Sequence, residues 1–208
     1  MRTKTLLLAV TLSVAAVASS FAQSTNVFSV NAVGYVNLTA PPGFSMISNP
    51  LNATNNTVSS LFSVPNGVSI YKYNQAQGFI ANNFFFGWTD PNMTLVPGEG
   101  IFFQNPFGTN LNLLFVGEVM QGNLTNAVPA GYSIQSSQVP QAGRLDVDLG
   151  FPVVNGDSVY FFNNASGGYT AFNYFFGWNV QPTNSVGQSF FVNKAGTTNW
   201  VRNFSANN

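Results

Sequence analysis

The feature that most constrains this chain is a duplication. Gly43-Phe44-Ser45-Met46-Ile47-Ser48 is answered by Gly131-Tyr132-Ser133-Ile134-Gln135-Ser136, and Val68-Ser69-Ile70-Tyr71-Lys72-Tyr73-Asn74 by Asp157-Ser158-Val159-Tyr160-Phe161-Phe162-Asn163. Phe84-Phe85-Phe86-Gly87-Trp88 returns as Tyr174-Phe175-Phe176-Gly177-Trp178, and Pro97-Gly98-Glu99-Gly100-Ile101-Phe102-Phe103 as Val186-Gly187-Gln188-Ser189-Phe190-Phe191. All four blocks keep their order and an offset between 88 and 90, which chance similarity does not maintain. Asn37-Leu38-Thr39 and Asn123-Leu124-Thr125 extend the match towards the start of each copy. A fold must therefore be built twice, from units at about 26–118 and 119–206.

Each copy reads as β-structure. Phe28–Leu38, Phe44–Ser48, Ser69–Tyr73, Gly100–Gln104 and Leu111–Val119 are short runs rich in Val, Ile, Phe and Tyr, separated by Pro-Pro-Gly, Pro-Asn-Gly, Asp-Pro-Asn and Pro-Gly. No segment after the N-terminal stretch sustains a helical apolar period beyond two turns; Val58–Phe62 and Val147–Phe151 come nearest. The stretch joining the copies, Val116–Gly122, lacks the Pro, Ser or charge enrichment of a linker. The expected fold class is all-β: two tandem, internally duplicated, β-sandwich-like units packed closely together.

The N-terminus has a different composition. Arg2 and Lys4 precede the uncharged, mostly apolar run Leu6–Ala18, and Ser20-Phe21-Ala22 places small residues where a signal peptidase reads. Residues 1–22 are expected to be a cleaved signal peptide, and the mature chain to be secreted or periplasmic with no transmembrane segment. Cleavage leaves four cations against six carboxylates, a net charge of about −2. Charged residues make up only 6% of the chain, so Asn, Gln, Ser and Thr must form most of the wet surface. With no basic cluster, a nucleic-acid partner is not expected. So few charges give little repulsion between copies, so the expected partners are the chain itself or other envelope or matrix components. There is no Cys, hence no disulfide, and burial of the 45% hydrophobic residues must supply the stability.

The residue inventory disfavours most enzyme chemistry. Without His or Cys there is no Ser-His dyad, no thiol nucleophile and no imidazole or thiolate zinc site. Glu99 with Asp90 or Glu118 could supply the carboxyl pair of a glycoside hydrolase, but Glu99 aligns with Gln188 and Asp90 falls near Val180 or Gln181. Asp146-Val147-Asp148 would present both carboxylates on one side of a strand, and with Asp157 they are the candidate ligands for calcium, the one cofactor to consider. The simpler reading of these aspartates is a solvated loop edge with Arg144 as counter-charge. Asn-x-Ser/Thr triplets such as those at Asn37, Asn52, Asn55 and Asn164 are a consequence of composition and carry no assigned function.

The aromatic pentapeptides have two readings. Consecutive aromatics on a strand must point to both sides, which suits a strand covered on both faces, with the glycine as a bulge. On that reading the phenylalanines are core. Trp88 and Trp178 are the candidates for exposed platforms on which a sugar ring could stack, with Asn83 and Asn179, and also Asn82 and Asn173, bonding its hydroxyls.

The succession GFSMISNPLN, SIYKYN, PGEGIFFQN and a closing strand resembles a repeat of uncharacterised secreted β-rich proteins of environmental Gram-negative bacteria, over nearly all of residues 30–204. The resemblance implies an exported β-rich module and no particular activity. Related modules often precede a sorting segment; the end at Phe204-Ser205-Ala206-Asn207-Asn208 departs from that pattern and speaks against covalent surface anchoring. The function expected is an exported non-enzymatic protein with a structural or adhesive role in the envelope or extracellular matrix. The alternatives are a carbohydrate-binding module acting on polysaccharide through the tryptophans and, less favoured, a carboxylate-based glycoside hydrolase.

Overall fold

The computed structural model describes residues 32–206. The first copy contributes β1 (Val33–Ala40), β2 (Gly43–Ile47), a single helical turn α1 (Val58–Leu61), β3 (Ser69–Asn74), β4 (Gly78–Asn83), β5 (Ile101–Asn105) and β6 (Leu111–Glu118). The second contributes β7 (Gly122–Val128), β8 (Gly131–Ser136), β9 (Gly143–Arg144), β10 (Ser158–Asn163), β11 (Gly168–Asn173), β12 (Thr183–Asn184), β13 (Ser189–Lys194) and β14 (Thr198–Phe204). The fold is all-β and sandwich-like. Four strands in each copy form an antiparallel sheet in the same order, β2-β5-β3-β4 and β8-β13-β10-β11, and the first and last strands of each copy pair as ribbons, β1-β6 and β7-β14. The proposed signal peptide lies outside the described residues.

Alternation along the strands builds the layers. In β5, Ile101 and Phe103 enter the core of the first copy with Val58, Phe62, Ile70, Leu113 and Phe115, while Phe102 points the other way. In β13, Phe190 and Val192 enter the second core with Leu145, Phe151, Val159 and Trp200, while Phe191 points the other way. Successive side chains on a strand take opposite faces, so each sheet has its own core on one side. The other faces meet in a third cluster, Met46, Phe102, Ile134 and Phe191, flanked by Tyr71, Tyr73, Tyr160 and Phe162. Each buried Phe, Leu or Ile contributes about 1.5–3 kcal/mol. This seam is the apolar interface that stands where a linker would otherwise be.

Contacts across the seam occur in equivalent pairs, as a local two-fold axis would make them. Ile47 bridges Gln188, and its counterpart Gln135 bridges Glu99. Ser48 N–H donates to Gly187 O (2.8 Å), and Ser136 N–H to Gly98 O (3.0 Å). The Gln75 amide donates to Ala130 O (2.7 Å) and Tyr132 O (2.8 Å), and the Asn164 amide to Pro42 O (2.8 Å) and Phe44 O (2.7 Å). These bonds satisfy carbonyls of the turns that join each ribbon strand to its sheet.

Three elements depart from the sequence expectations. β4 and β11 are strands that their Gly, Ala and Asn content does not announce; they are the edge strands of their sheets, and most of their side chains are exposed. The segment around Val147 is a turn running from Leu145 to Leu149, closed by Asp148 and Leu149 N–H groups on Arg144 O (3.0 Å each). Third, the aromatic pentapeptides are tight hairpin tips.

Candidate functional site

Each tip continues the β3–β4 or β10–β11 hairpin. Phe84 bridges Trp88 and Tyr174 bridges Trp178. Between them the backbone reverses through a bulky residue in the left-handed region, Phe86 at φ 59° and Phe176 at φ 55°. Such a conformation costs a non-glycine residue on the order of 1–2 kcal/mol, so something must hold it. In both copies Phe85 or Phe175 N–H donates to the glycine carbonyl of the tip (2.9 Å). Phe86 N–H donates to Asn66 Oδ1 and Phe176 N–H to Asn155 Oδ1, each at 2.7 Å. The result is two adjacent phenyl rings in solvent: Phe85 and Phe86 are 72% and 84% exposed, Phe175 and Phe176 72% and 83%. Within each pair the rings meet edge to face at 4.8 Å.

The expected roles of tryptophan and phenylalanine are thereby reversed. Trp88 is buried, 8% exposed, against Phe62 (6.0 Å) and Phe84 (5.2 Å) in the first core. Trp178 is half-buried against the second core, beside Tyr174 (5.2 Å), and neither indole N–H meets a hydrogen-bond partner among the described residues. As the second residue of the closing pair, each tryptophan packs inward and anchors the tip; Trp88 is closed off from solvent, whereas Trp178 keeps part of its surface exposed. The asparagines are also structural. Asn83 Oδ1 accepts from Ser69 Oγ (2.7 Å), and Asn173 Oδ1 likewise from Ser158 Oγ (2.8 Å). Asn179 Oδ1 accepts from Asn173 N–H (2.8 Å), and the buried Asn82 bonds both N–H and C=O of Asp90.

The three aspartates singled out for calcium are not brought together. Asp148 lies in the turn after β9 and holds Arg144 through two bonds at 2.9 Å while accepting its N–H at 2.8 Å. Asp146 accepts from Gln181 Nε2 (2.7 Å) and Val147 N–H (3.0 Å). Asp157 is buried, ion-paired with Lys194 and bonded by the N–H groups of Val154 and Ala195 (2.8 Å each). Among the described residues no group of three or more His, Cys, Asp and Glu could hold a metal ion. Glu99, the hydrolase candidate, is bound to Lys72 Nζ (2.7 Å) and to Val96 N–H (3.0 Å).

The hydrogen bonds from Arg144 lower the Asp148 pKa to about 2. The carboxylate is held below its usual range of about 3.9, so the turn gains its support above that value and loses it as pH falls towards 2. An NMR titration should place the Asp148 midpoint at about 2, well below the usual carboxylate range, and Arg144→Ala should return it to that range. An unmoved midpoint in that variant would mean the pair does not govern the turn.

A concave surface that the sequence reading missed lies on one side of the seam. Tyr73, Tyr132, Tyr160, Tyr169 and Phe191 line a cleft of about 300 Å³. Its rings come from both copies: Tyr73 stands 5.1 Å from Phe191, Tyr169 6.0 Å from Phe191, and Tyr132 6.2 Å from Tyr160. The neighbouring Tyr160 phenol raises the Tyr132 pKa, and burial raises that of Tyr169. Both phenols therefore stay neutral beyond their ordinary range near 10. Among the described residues no helix is long and apolar enough to cross a membrane. No family model matches the chain, and comparisons with curated proteins and with solved structures find no match.

Proposed function

We propose that the chain is an exported, non-enzymatic β-protein with a structural or adhesive role, and that the Phe85-Phe86 and Phe175-Phe176 tips are its points of contact. The observation that carries this is the paired exposure of phenylalanines on a strained turn. Phe-Phe-Gly-Trp is the longest unbroken identity between the aligned copies, while core positions have drifted, Ile101 to Phe190, Leu113 to Trp200 and Met46 to Ile134. Packing permits such drift as long as volume and pattern are kept. A solvent-exposed ring in a left-handed conformation contributes nothing to packing, so its retention in both copies points to contact with something outside the chain. Two equivalent tips on one molecule also allow bivalent attachment. Export is supported by the Arg2–Ala22 pattern, and self-contact by a surface almost without charge. The non-enzymatic reading is supported by the absence of His and Cys and by the occupation of Glu99, Asp148 and Asp157 in ion pairs.

Light scattering on the mature protein tests the reading. The wild type is expected to associate as concentration rises, and the variant with Phe85, Phe86, Phe175 and Phe176 all changed to Ser to remain monomeric over the same range. Each ring that becomes buried at a contact contributes about 1.5–3 kcal/mol, so association should weaken by at least about tenfold. Thermal stability should hold or rise, because the rings bury little and Ser is less restricted than Phe at a turn. A wild type that stays strictly monomeric at high concentration, or a variant that associates equally well, rules out the tips as self-contacts.

A further inference from the structure

The tyrosine cleft has an internal control. The local two-fold relation sends Tyr132 to Phe44, Tyr160 to Tyr71, Tyr169 to Phe79, Phe191 to Phe102 and Tyr73 to Phe162. These counterparts form the same cluster on the opposite side of the seam, with Phe102 5.2 Å from Phe162, 5.7 Å from Phe79 and 6.2 Å from Phe44. One side thus carries four phenol hydroxyls and the other a single one. Packing of the two sheets does not need the extra three, because phenylalanine fills the same positions opposite. A hydroxyl added to an aromatic wall is useful where the wall faces something that exchanges hydrogen bonds.

Tyr132 and Tyr169 are each about half exposed at the cleft, at 47% and 48%. Among the described residues no charged side chain lines it, so an anionic ligand would be desolvated against phenol rings without a counter-charge. The volume of about 300 Å³ stands at the lower end of ligand pockets, which span roughly 300–1,000 Å³. A ligand with apolar faces, several hydroxyls and no negative charge matches these walls. We propose that the cleft is a binding site for a neutral sugar unit of a polysaccharide, with ring faces of Tyr132 and Tyr169 against its C–H faces and the phenol hydroxyls bonded to its own. The site is separate from the phenylalanine tips and does not depend on them.

Affinity electrophoresis and calorimetry of the full mature chain against neutral glycans (β-glucan, α-glucan, xylan and mannan, with their oligosaccharides) test the proposal, with polygalacturonate as the anionic control. At least one neutral glycan should bind. The variant Tyr73→Phe, Tyr132→Phe, Tyr169→Phe copies the opposite side of the seam, so it should fold with unchanged circular dichroism and melting. It should bind at least tenfold more weakly. Tyr169→Ala should abolish binding, and the four-serine tip variant should bind like the wild type. Retention of the anionic polymer alone, binding of no neutral glycan, full binding by the triple variant, or loss of binding in the tip variant would each overturn the assignment.

Discussion

Asp157→Ala is expected to destabilise the protein by about 3–5 kcal/mol, the usual result of removing one member of a buried ion pair. Lys194 and Asp157 are almost completely enclosed, with side-chain exposures of 1% and 0%. Without the carboxylate the ammonium keeps only Pro152 O (2.7 Å) and the face of Phe151 (5.7 Å), and the N–H groups of Val154 and Ala195 lose their acceptor. The first copy solves the same problem without charge. Val68 stands where Asp157 does, and Asn105 where Lys194 does, with its amide donating to Ala40 O (3.0 Å) and Thr109 O (2.8 Å) and its carbonyl accepting from Phe107 N–H (3.0 Å). Asp157→Val with Lys194→Asn should therefore recover at least about half of the loss, since no charge is then stranded. Full recovery is not expected, because the chain between Lys194 and Thr198 is shorter than that between Asn105 and Leu111. Urea unfolding followed by tryptophan fluorescence measures both variants. A single substitution costing under about 1 kcal/mol, or a double no better than the single, would show that the pair is not what holds this corner.

The duplication, the β-class and the apolar joining of the copies were legible in the sequence because each follows from spacing or from alternation along a strand. The tips were not. A run such as Phe84-Phe85-Phe86 has the composition of a strand covered on both faces, and nothing about phenylalanine announces a left-handed turn. The usable signals lay elsewhere: Asn66-Gly67 and Asn155-Gly156 recur in register with the tips they pin, and Phe-Phe-Gly-Trp is more alike between copies than the core is. Asp146 and Asp148 looked like neighbours on one strand face because residues two apart on a strand point to the same side. The segment is instead a turn, closed by the two bonds from Arg144 to Asp148. The tyrosine cleft was present in the aligned copies as three Phe-to-Tyr differences, but only the strand register shows that Tyr132, Tyr160 and Tyr169 share a face with Tyr73 of the other copy.

Gly100→Ser is expected to have a comparably large effect at the seam. A side-chain carbon at position 100 would lie 2.3 Å from Ser189 Cβ and 2.6 Å from Ile134 Cγ2, closer than real contacts allow. Gly100 and Ser189 are equivalent residues of the two copies, so the local axis brings them against each other and leaves room for one side chain, not two. Overpacking of this kind costs about 1–3 kcal/mol and sometimes more, and here the sheets must separate to relieve it. The single variant should therefore lose cooperativity as well as stability, with the two copies melting in separate steps. The exchange Gly100→Ser with Ser189→Gly restores one side chain to the crossing and removes the Ser189 clash, but leaves Ile134 Cγ2 at 2.6 Å, so it should recover part of the lost stability. In the wild type Ser189 Oγ donates to Ile47 O (3.0 Å), and the counterpart of Ile47 across the axis is Gln135, so a serine at 100 has a corresponding carbonyl to meet. Calorimetry distinguishes the outcomes. A single sharp transition in Gly100→Ser, or an exchange as damaged as the single variant, would mean that the copies are not held together by this crossing.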